Sequence, residues 1–431
     1  MARYAVFNGK EMAEFDMNES TQAEVIQSRP LPIVRDVDKA IKEAVEDPIG
    51  CRRLSQMVRP GQKVAIIVTD ITRKLPEDKI LPILLAELLA GGIKTCDITV
   101  VVATGTHRPN TDEELVEMFG ANMVKSLKFV NHDAWDKDNN VYMGLTRRKI
   151  PMVVNKYVAQ ADIKISTGVI EPHLFAGYSG GVKSVAVGVA GVESIAATHN
   201  YSMLSETRLG VVEGNAFRDF LTEAANVVGL DFIVNVIQGA NKELVRVVAG
   251  HPVKAFLEGV KTARELYEVE VDYEADIVVT GVGYPKNRDL YQATRAANTS
   301  VFGPQPVVKK GGVIIIPASC DDGFGYKGYV DWMVRSGGPD DIIEYARTQG
   351  FAPGEQKALL LAWMLKHCRV VITDCKIPME DLRRLHLEAV SSLQEAIAEE
   401  LRRRPDAQVI VMPDGMLSLP ILKTDYLCEK Y

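Results

Sequence analysis

The fold is decided by residues 63–103, KVAIIVTDITRKLPEDKILPILLAELLAGGIKTCDITVVVA. Its first seven and last seven residues are short, mainly apolar runs of the kind found in buried strands of parallel sheets. Between them, residues 78–96 carry apolar side chains at helical spacing, and the pair Gly91-Gly92 is typical of a helix C-terminus. Strand, helix and strand in this order predict a βαβ unit.

The same alternation continues along the chain. In the first part, strands are expected at 128–130, 162–166, 232–237 and 244–248, and a helix at 215–226. In the second, strands are expected at 277–280, 313–316, 369–373 and 408–412, and a helix at 379–404. This pattern predicts an α/β protein with largely parallel sheets.

Two domains are expected, because each half of the 431-residue chain has its own set of strands. Residues 252–276 suggest a helix and an acidic connector, which places the boundary near 272. We therefore assign 1–272 to an N-terminal α/β domain and 273–431 to a C-terminal α/β domain that closes a cleft. Such a cleft is the natural place for an active site.

Composition excludes several classes of protein. With 47% hydrophobic residues, 25% charged residues and a net charge of −7, the chain resembles an ordinary globular protein without affinity for nucleic acid or anionic membranes. No apolar run approaches the ~20 residues of a membrane span, and the N-terminus lacks a signal-peptide pattern. The six cysteines show neither metal nor disulfide spacing, so a reducing, cytoplasmic location is expected.

Residues 168–200, GVIEPHLFAGYSGGVKSVAVGVAGVESIAATHN, combine three kinds of functional residue. Glycines such as Gly180 and Gly181 let the backbone approach a ligand closely. His173 and His199 can bind a metal ion or move protons near neutral pH, and Lys183 can hold an anion or bond covalently to a cofactor. We interpret this segment as part of an active site.

A phosphate loop is the alternative for part of this segment, because GYSGGVKS resembles the GxxxxGK[ST] motif. Val182 stands where the motif requires its last glycine, so the interpretation as an NTPase fails. Binding of a phosphate by backbone amides stays open.

Two further motifs follow predicted strands, where α/β proteins usually place functional groups. His107 lies in VATGTHRPN, although it could also belong to the cap of a helix starting near residues 111–114. Asp70 and Arg73 lie in DITR and could orient a ligand, with a simple turn and a solvated arginine as the alternative.

The second half offers candidates on expected helices. Tyr291, Gln292 and Arg295 lie in one short segment, and the last two share a helix face. A solvated helix face is the alternative. Trp332 could line a cleft or belong to the core.

Together these motifs resemble the nickel-dependent lactate racemase family, the nickel-pincer-nucleotide racemases and epimerases of 2-hydroxy acids. The matching pieces, in the order of the family, are DITR at 70–73, GTHR at 105–108, EPHLFAGYSGGVK at 171–183, His199, GYPKNRDLYQ at 283–292 and Trp332.

The resemblance implies a nickel pincer nucleotide, Ni-pyridinium-3,5-bisthiocarboxylic acid mononucleotide, as cofactor. It implies Lys183 as the covalent tether, His199 as the nickel ligand, and His107 and His173 as the catalytic acid/base pair. Further cofactor contacts are assigned to Asp70, Gly180, Gly181 and Tyr291, and substrate contacts to Arg73, Gln292, Arg295 and Trp332. Two kinds of partner are expected. The first are enzymes of cofactor synthesis and nickel insertion, and the second is another copy of the chain in a homo-oligomer.

One residue departs from the family pattern. Arg295 stands where lactate racemase has a lysine three residues after the glutamine. The charge is kept but its geometry differs, which favours a larger or more acidic substrate than lactate, such as malate or a sugar acid.

The expected reaction is racemisation or C2-epimerisation of a 2-hydroxy carboxylic acid by hydride transfer. Two other functions remain open at this level. His107, His173 and His199 could be the three ligands of a zinc hydrolase, or the chain could be a non-catalytic nucleotide-binding module.

Overall fold

A computed structural model describes residues 1–73, 75–352 and 354–423. Its strands are, in chain order, β1 Ala2–Gly9, β2 Glu11–Met17, β3 Ala23–Val25, β4 Val64–Thr69, β5 Ile98–Ala103, β6 Lys128–Asn131, β7 Asn140–Leu145, β8 Pro151–Asn155, β9 Ile163–Val169, β10 Pro172–His173, β11 Gly177–Tyr178, β12 Phe232–Gln238, β13 Leu244–Gly250, β14 Glu268–Val271, β15 Ala275–Thr280, β16 Val282–Gly283, β17 Val308–Pro317, β18 Arg369–Thr373, β19 Glu388–Val390, β20 Val409–Met412 and β21 Leu419–Leu422.

The α-helices alternate with these strands. They are α1 Val37–Glu46, α2 Leu54–Met57, α3 Glu77–Ala90, α4 Asp112–Phe119, α5 Ala121–Ser126, α6 Lys156–Gln160, α7 Val192–Thr198, α8 Tyr201–Ser205, α9 Ala216–Val228, α10 Pro252–Tyr267, α11 Leu290–Ala293, α12 Asn298–Val301, α13 Lys327–Arg335, α14 Pro339–Gln349, α15 Gln356–His367, α16 Met379–Arg384 and α17 Leu393–Arg403.

The chain divides into two compact units, each discontinuous in sequence. The N-terminal unit comprises Pro30–His199 and Val212–Leu266. The C-terminal unit comprises Met1–Arg29, Asn200–Val211 and the chain from Tyr267 onward. The chain passes from the N-terminal to the C-terminal unit for the last time after Leu266, close to the boundary expected near 272. A single boundary does not describe the division, because Met1–Arg29 and Asn200–Val211 also belong to the C-terminal unit.

The N-terminal unit is built on a six-stranded sheet in the order β13-β12-β9-β4-β5-β6. All neighbours pair in parallel except β12 and β13, which are antiparallel. The central strands are almost wholly apolar because both faces of the sheet are covered. The predicted β4-α3-β5 unit is confirmed.

This strand order places the carboxyl ends of β9, β4 and β5 side by side. Glu171–Lys183 follows β9, Asp70 follows β4, and the loop carrying His107 follows β5. Functional groups far apart in sequence are therefore gathered at one edge of one sheet.

The C-terminal unit contains a second six-stranded sheet in the order β19-β18-β17-β15-β20-β3, with every neighbouring pair parallel. Smaller pairings add β14 to β21 and the hairpin β1-β2 to β16. The α/β class with largely parallel sheets is therefore confirmed.

Two local predictions are wrong. The helix expected at 379–404 is interrupted after α16, because His386 adopts φ 59° and β19 then pairs with the sheet edge before Ser392 caps α17. The acidic connector is partly a strand: EVEV at 268–271 alternates with a period of two and forms β14.

In the described ranges, none of the helices combines the length and apolar character needed to cross a membrane. Five of the six cysteines lie in these ranges as free thiols, and Cys428 lies outside the described residues.

Candidate active site

His107 and Asp70 form a hydrogen-bonded pair at the ends of β5 and β4. Nδ1 of His107 donates to Oδ2 of Asp70 over 2.6 Å, and Oδ1 of Asp70 accepts from the backbone and hydroxyl of Thr72 at 3.1 and 2.5 Å. Burial opposes ionisation of Asp70, but the bonds from His107 and Thr72 outweigh it and hold the pKa of Asp70 below its usual value. The exposed imidazole therefore faces a fixed negative charge.

The predicted helix beginning next to this loop is also present, since Thr111 caps α4 in a reciprocal capping box with Glu114. His107 does not take part in that cap, so its contact with Asp70 is separate from it.

His173 lies in a tight hairpin formed by β10 and β11. Its Nδ1 accepts hydrogen bonds from the backbone N–H groups of Phe175 at 3.3 Å and Ala176 at 3.1 Å. This network assigns the proton of the neutral ring to Nε2, the opposite tautomer to His107.

Gly180 and Gly181 have left-handed backbones, with φ values of 76° and 59°. A Cβ at Gly180 would lie 2.8 Å from Oδ1 of Asn235, and one at Gly181 would lie 2.8 Å from the ring of Phe256. The N–H of Gly181 donates to Asn235 over 2.6 Å. Both glycines are thus required by packing, whatever ligand they also approach.

Lys183 follows this turn and begins a short π-helical segment, Ser184–Gly188. Among the described residues its amine has no hydrogen-bond or salt-bridge partner. Burial, followed by the positive charges of Arg73 and Arg218, lowers its pKa to about 8. The carbonyl of Gly188 accepts from the N–H of Gly105 over 2.8 Å, which ties this segment to the loop of His107.

His199 ends α7 and lies between aromatic rings. Its Nδ1 bonds to the carbonyl of Ile195 at 3.1 Å, and its ring centroid lies 5.9 Å from Phe175 and 5.5 Å from Phe217. Burial is the main cause of its lowered pKa, so the ring is neutral at pH 7. In the described part of the chain, its Nε2 makes no hydrogen bond.

Arg218 is a site residue that the sequence did not reveal. It lies on α9, is 4% exposed, and donates from Nε and Nη2 to the carbonyl of Ala176 and from Nη2 to that of Tyr178. Both carbonyls lie on the C-terminal side of the hairpin that carries His173. A buried arginine looks like an ordinary polar residue in an amphipathic helix, so no local signal marked it.

The remaining candidates belong to the C-terminal unit. Tyr291 and Gln292 lie in α11, and Arg295 lies in the 3₁₀ turn that follows it. Nη1 of Arg295 donates to Oε1 of Gln292 over 2.9 Å, which confirms that the two share a face. Trp332 lies in α13 and packs edge-on against Tyr345, with ring centroids 4.8 Å apart.

Arg73 lies in the N-terminal unit, directly after the Asp70 turn. Its Nε is 4.0 Å from Oε1 of Glu171, and Glu171 also lies 3.9 Å from Lys242. Neither Glu171 nor Lys242 was proposed as a site residue from the sequence.

Histidines outside the candidate site have structural contacts. His132 is buried with Nε2 bonded to the carbonyl of Ala190, and His367 bonds to the carbonyl of Val308. Among the described residues no group of three His, Cys, Asp or Glu side chains could hold a metal ion. The three histidines of the hydrolase alternative do not form such a group in the described part of the chain.

Comparison with known proteins covers nearly the whole chain. Residues 8–210 match the model of the lactate racemase N-terminal domain, and residues 270–419 match that of the lactate racemase C-terminal domain. Lactate racemase of Thermoanaerobacterium thermosaccharolyticum is 32% identical over 96% of this chain and 98% of its own length. Lactate racemase of Lactiplantibacillus plantarum is 31% identical over 88% of this chain and 89% of its own length.

A solved structure agrees with these matches. The lactate racemase apoprotein from T. thermosaccharolyticum superposes with a TM-score of 0.89 at 31% identity, covering 98% of this chain and 100% of that one. The chain belongs to the lactate racemase family.

Proposed function

We propose that this protein is a racemase or C2-epimerase of a 2-hydroxy carboxylic acid, either lactate-like or larger, such as malate or a sugar acid. Its cofactor would be a covalently tethered nickel pincer nucleotide. One observation carries the proposal: a single unit gathers Asp70, His107, His173, Lys183 and His199 around neighbouring strand ends. Membership of the lactate racemase family supports the same reaction.

The side chains fit this cofactor chemically. Lys183 offers a buried amine whose lowered pKa, about 8, makes the neutral nucleophile available near neutral pH. His199 offers Nε2 as a nitrogen ligand for nickel, since its Nδ1 is fixed by the carbonyl of Ile195. A single protein ligand is sufficient where the nucleotide itself provides the other nickel ligands. When bound, the cofactor supplies the hydride acceptor.

The two catalytic histidines would handle the hydroxyl proton. Direct removal of the C2 proton is difficult because a neighbouring carboxylate stabilises a carbanion poorly. Loss of hydride to an acceptor avoids the carbanion and leaves a 2-oxo acid, provided that the hydroxyl is deprotonated. Nε2 of His107 carries a lone pair, because Nδ1 donates to Asp70, and can therefore accept that proton. Nε2 of His173 carries a proton in its assigned tautomer and can donate one.

Substrate binding would use cations and amides. Arg73, beside Asp70, can hold the C1 carboxylate through its planar guanidinium. We assign Gln292 and Arg295 to the same substrate because they are already joined by a hydrogen bond, and Trp332 to a wall of the pocket. Asp70, Gly180, Gly181 and Tyr291 remain proposed cofactor contacts.

Loading would require other enzymes. We propose that enzymes of cofactor synthesis and nickel insertion are partners of this chain. We also propose that the chain forms homo-oligomers, which light scattering would detect.

The decisive experiment is expression together with the cofactor-making enzymes, followed by intact-mass measurement and chiral analysis of a panel of 2-hydroxy acids. We expect a mass adduct on the Lys183 peptide and interconversion of enantiomers or C2 epimers. Lys183→Ala should lose both, whereas Lys261→Ala, which replaces an exposed lysine on α10, should keep both. Racemisation by native protein that carries no adduct would refute the proposed mechanism.

A further inference from the structure

Two cysteines that are far apart in sequence meet at the ends of neighbouring strands in the C-terminal unit. Cys320 follows β17 and Cys375 follows β18, and these two strands pair in parallel up to their last residues. Beyond the strands, the N–H of Lys376 donates to the carbonyl of Ser319 over 2.9 Å. This bond joins the residue after one cysteine to the residue before the other, so the two loops lie side by side where they carry the thiols.

The two thiols contact each other directly. The thiol of Cys320 donates a hydrogen bond to the sulfur of Cys375. Cys320 is 2% exposed within the main hydrophobic cluster of this unit, whereas Cys375 is half-buried and packs against that cluster from outside. One sulfur can therefore be reached by a small molecule, and the other lies directly behind it. Thiols that react reversibly with oxidants commonly have such a second cysteine beside them.

The hydrogen bond makes the two thiols chemically unequal. It is the largest cause of the lowered pKa of Cys375, and the N–H of Ile377 adds to it, while burial and the carboxylates of Asp321 and Asp374 act in the opposite direction. The same bond, followed by burial, raises the pKa of Cys320. Cys375 is therefore the thiolate, and hence the nucleophile, of the pair.

The loop of Cys320 also holds the segment that leads into α11. The N–H of Cys320 donates to the carbonyl of Asn287 over 2.9 Å, and the N–H of Tyr291 donates to the carbonyl of Phe324 over 3.1 Å. A covalent bond made at Cys320 would therefore restrain the chain immediately before Gln292.

We infer that Cys320 and Cys375 form a reversible disulfide, that its oxidant is the disulfide of a low-molecular-weight thiol, and that the new bond restrains the segment before α11. The Cys375 thiolate attacks one sulfur of the oxidant, which gives a mixed disulfide and releases one small thiolate. Cys320 is then no longer bonded to a thiolate, so it loses its proton and attacks the sulfur of Cys375, which releases the second small thiolate.

The electrons and protons balance in this exchange. The two protein thiols lose two electrons and two protons, and the small disulfide takes them up and becomes two thiols. In a reducing compartment such a disulfide is transient and follows the state of the small-thiol pool.

The test treats native, cofactor-free, full-length protein with glutathione disulfide and maps its peptides without reduction. We expect a linked pair of Cys320 and Cys375 peptides, about 2 Da lighter than the two reduced peptides together, which dithiothreitol separates again. Cys96→Ser removes an exposed thiol of the N-terminal unit and should form the same linked pair.

Two variants test the order of the steps. Cys320→Ser should stop at a stable glutathione adduct on Cys375, because the resolving thiol is gone. Cys375→Ser should leave the buried Cys320 unmodified. An unresolved adduct on Cys375 in native protein, or a linked pair that forms only in denaturant, would overturn the inference without bearing on the proposed reaction.

Amide hydrogen exchange tests the restraint on the chain before α11. Because the disulfide opposes opening of the Cys320 loop, the amides of Cys320 and Tyr291 should exchange about 10-fold more slowly, or slower still, in the oxidised protein. Amides of β4, in the other unit, should exchange at the same rate in both forms. Equal rates for Cys320 and Tyr291 before and after oxidation would overturn the inferred restraint.

Discussion

Nδ1 of His107 lies 2.6 Å from Oδ2 of Asp70. Asp70 follows β4 and His107 lies in the loop after β5, two strands that are neighbours in the sheet although a whole helix separates them in sequence. Asp70 is buried and ionised, so it fixes the His107 tautomer and stabilises the imidazolium that forms when Nε2 takes a proton.

Asp70→Asn should therefore lower kcat for racemisation by about 10²- to 10⁴-fold, the usual contribution of a general base. The amide keeps the shape but removes the charge. Adduct mass on Lys183 and substrate affinity should stay near their native values. Asp97→Asn, which breaks an ion pair with Lys63 at the opposite end of β5, is the control. A parallel loss of adduct would instead assign the effect to the cofactor contact proposed for Asp70, and not to the orientation of His107.

The reactivity of Lys183 should depend on pH in an unusual range. Its neutral amine is the nucleophile, so the rate of labelling by an amine-reactive reagent rises with pH and levels above the pKa of about 8. An ordinary lysine reaches that plateau only above about 10.4. The measurement is the labelled fraction of the Lys183 peptide in cofactor-free protein, with Lys183→Ala as the blank. An inflection at the ordinary value would contradict the structure.

Arg218→Met should destabilise the N-terminal unit. It removes the charged donor that Arg218 provides to the carbonyls of Ala176 and Tyr178 in a buried place, which costs about 1–3 kcal/mol in the free energy of unfolding. Denaturant unfolding measures this loss. Arg264→Met, which removes an exposed partner of Glu213, should change the same quantity little. Equal stabilities for the two variants would show that Arg218 does not hold the His173 loop.

Lys357 is the second residue of α15 and is buried, and Lys357→Met should have the opposite effect on stability. The native lysine binds its proton more weakly in the folded protein than in the unfolded one, with a folded pKa of about 7. It therefore lowers the free energy of unfolding by its full amount below that pKa, and by less as the pH rises toward the unfolded pKa. The variant should therefore be more stable by about 2–4 kcal/mol at pH 6 and by clearly less at pH 9. Unfolding curves at the two pH values test this, and a pH-independent difference would rule it out.

Much of the fold could be predicted because buried parallel strands leave continuous apolar runs. The runs at β4 and β5 and the glycine pair after α3 define one βαβ unit without any structure. Short edge elements could not be predicted in this way. β19 and β14 are only three and four residues long and are held by pairing with other strands, so the strand pattern in each is too short to stand out.

The candidate site shows the same division. His107, His173, Lys183 and His199 are chemically conspicuous residues in glycine-rich or strand-end loops, so the sequence could nominate them. Arg218 and Lys357 lie within helices and act through burial. Burial of a charged side chain depends on what packs against it, and for both residues those contacts come from segments remote in sequence.

The pairing of β3 with β20 has a consequence for synthesis on the ribosome. β3 lies within residues 1–29 and is synthesised before the N-terminal unit, whereas its partner strand β20 is synthesised after that unit. The intervening N-terminal unit can assemble while the chain is still being translated, at roughly 5–20 residues per second. β3 must stay unpaired meanwhile, so a shortened product that stops before residue 409 would leave β3 without its partner strand.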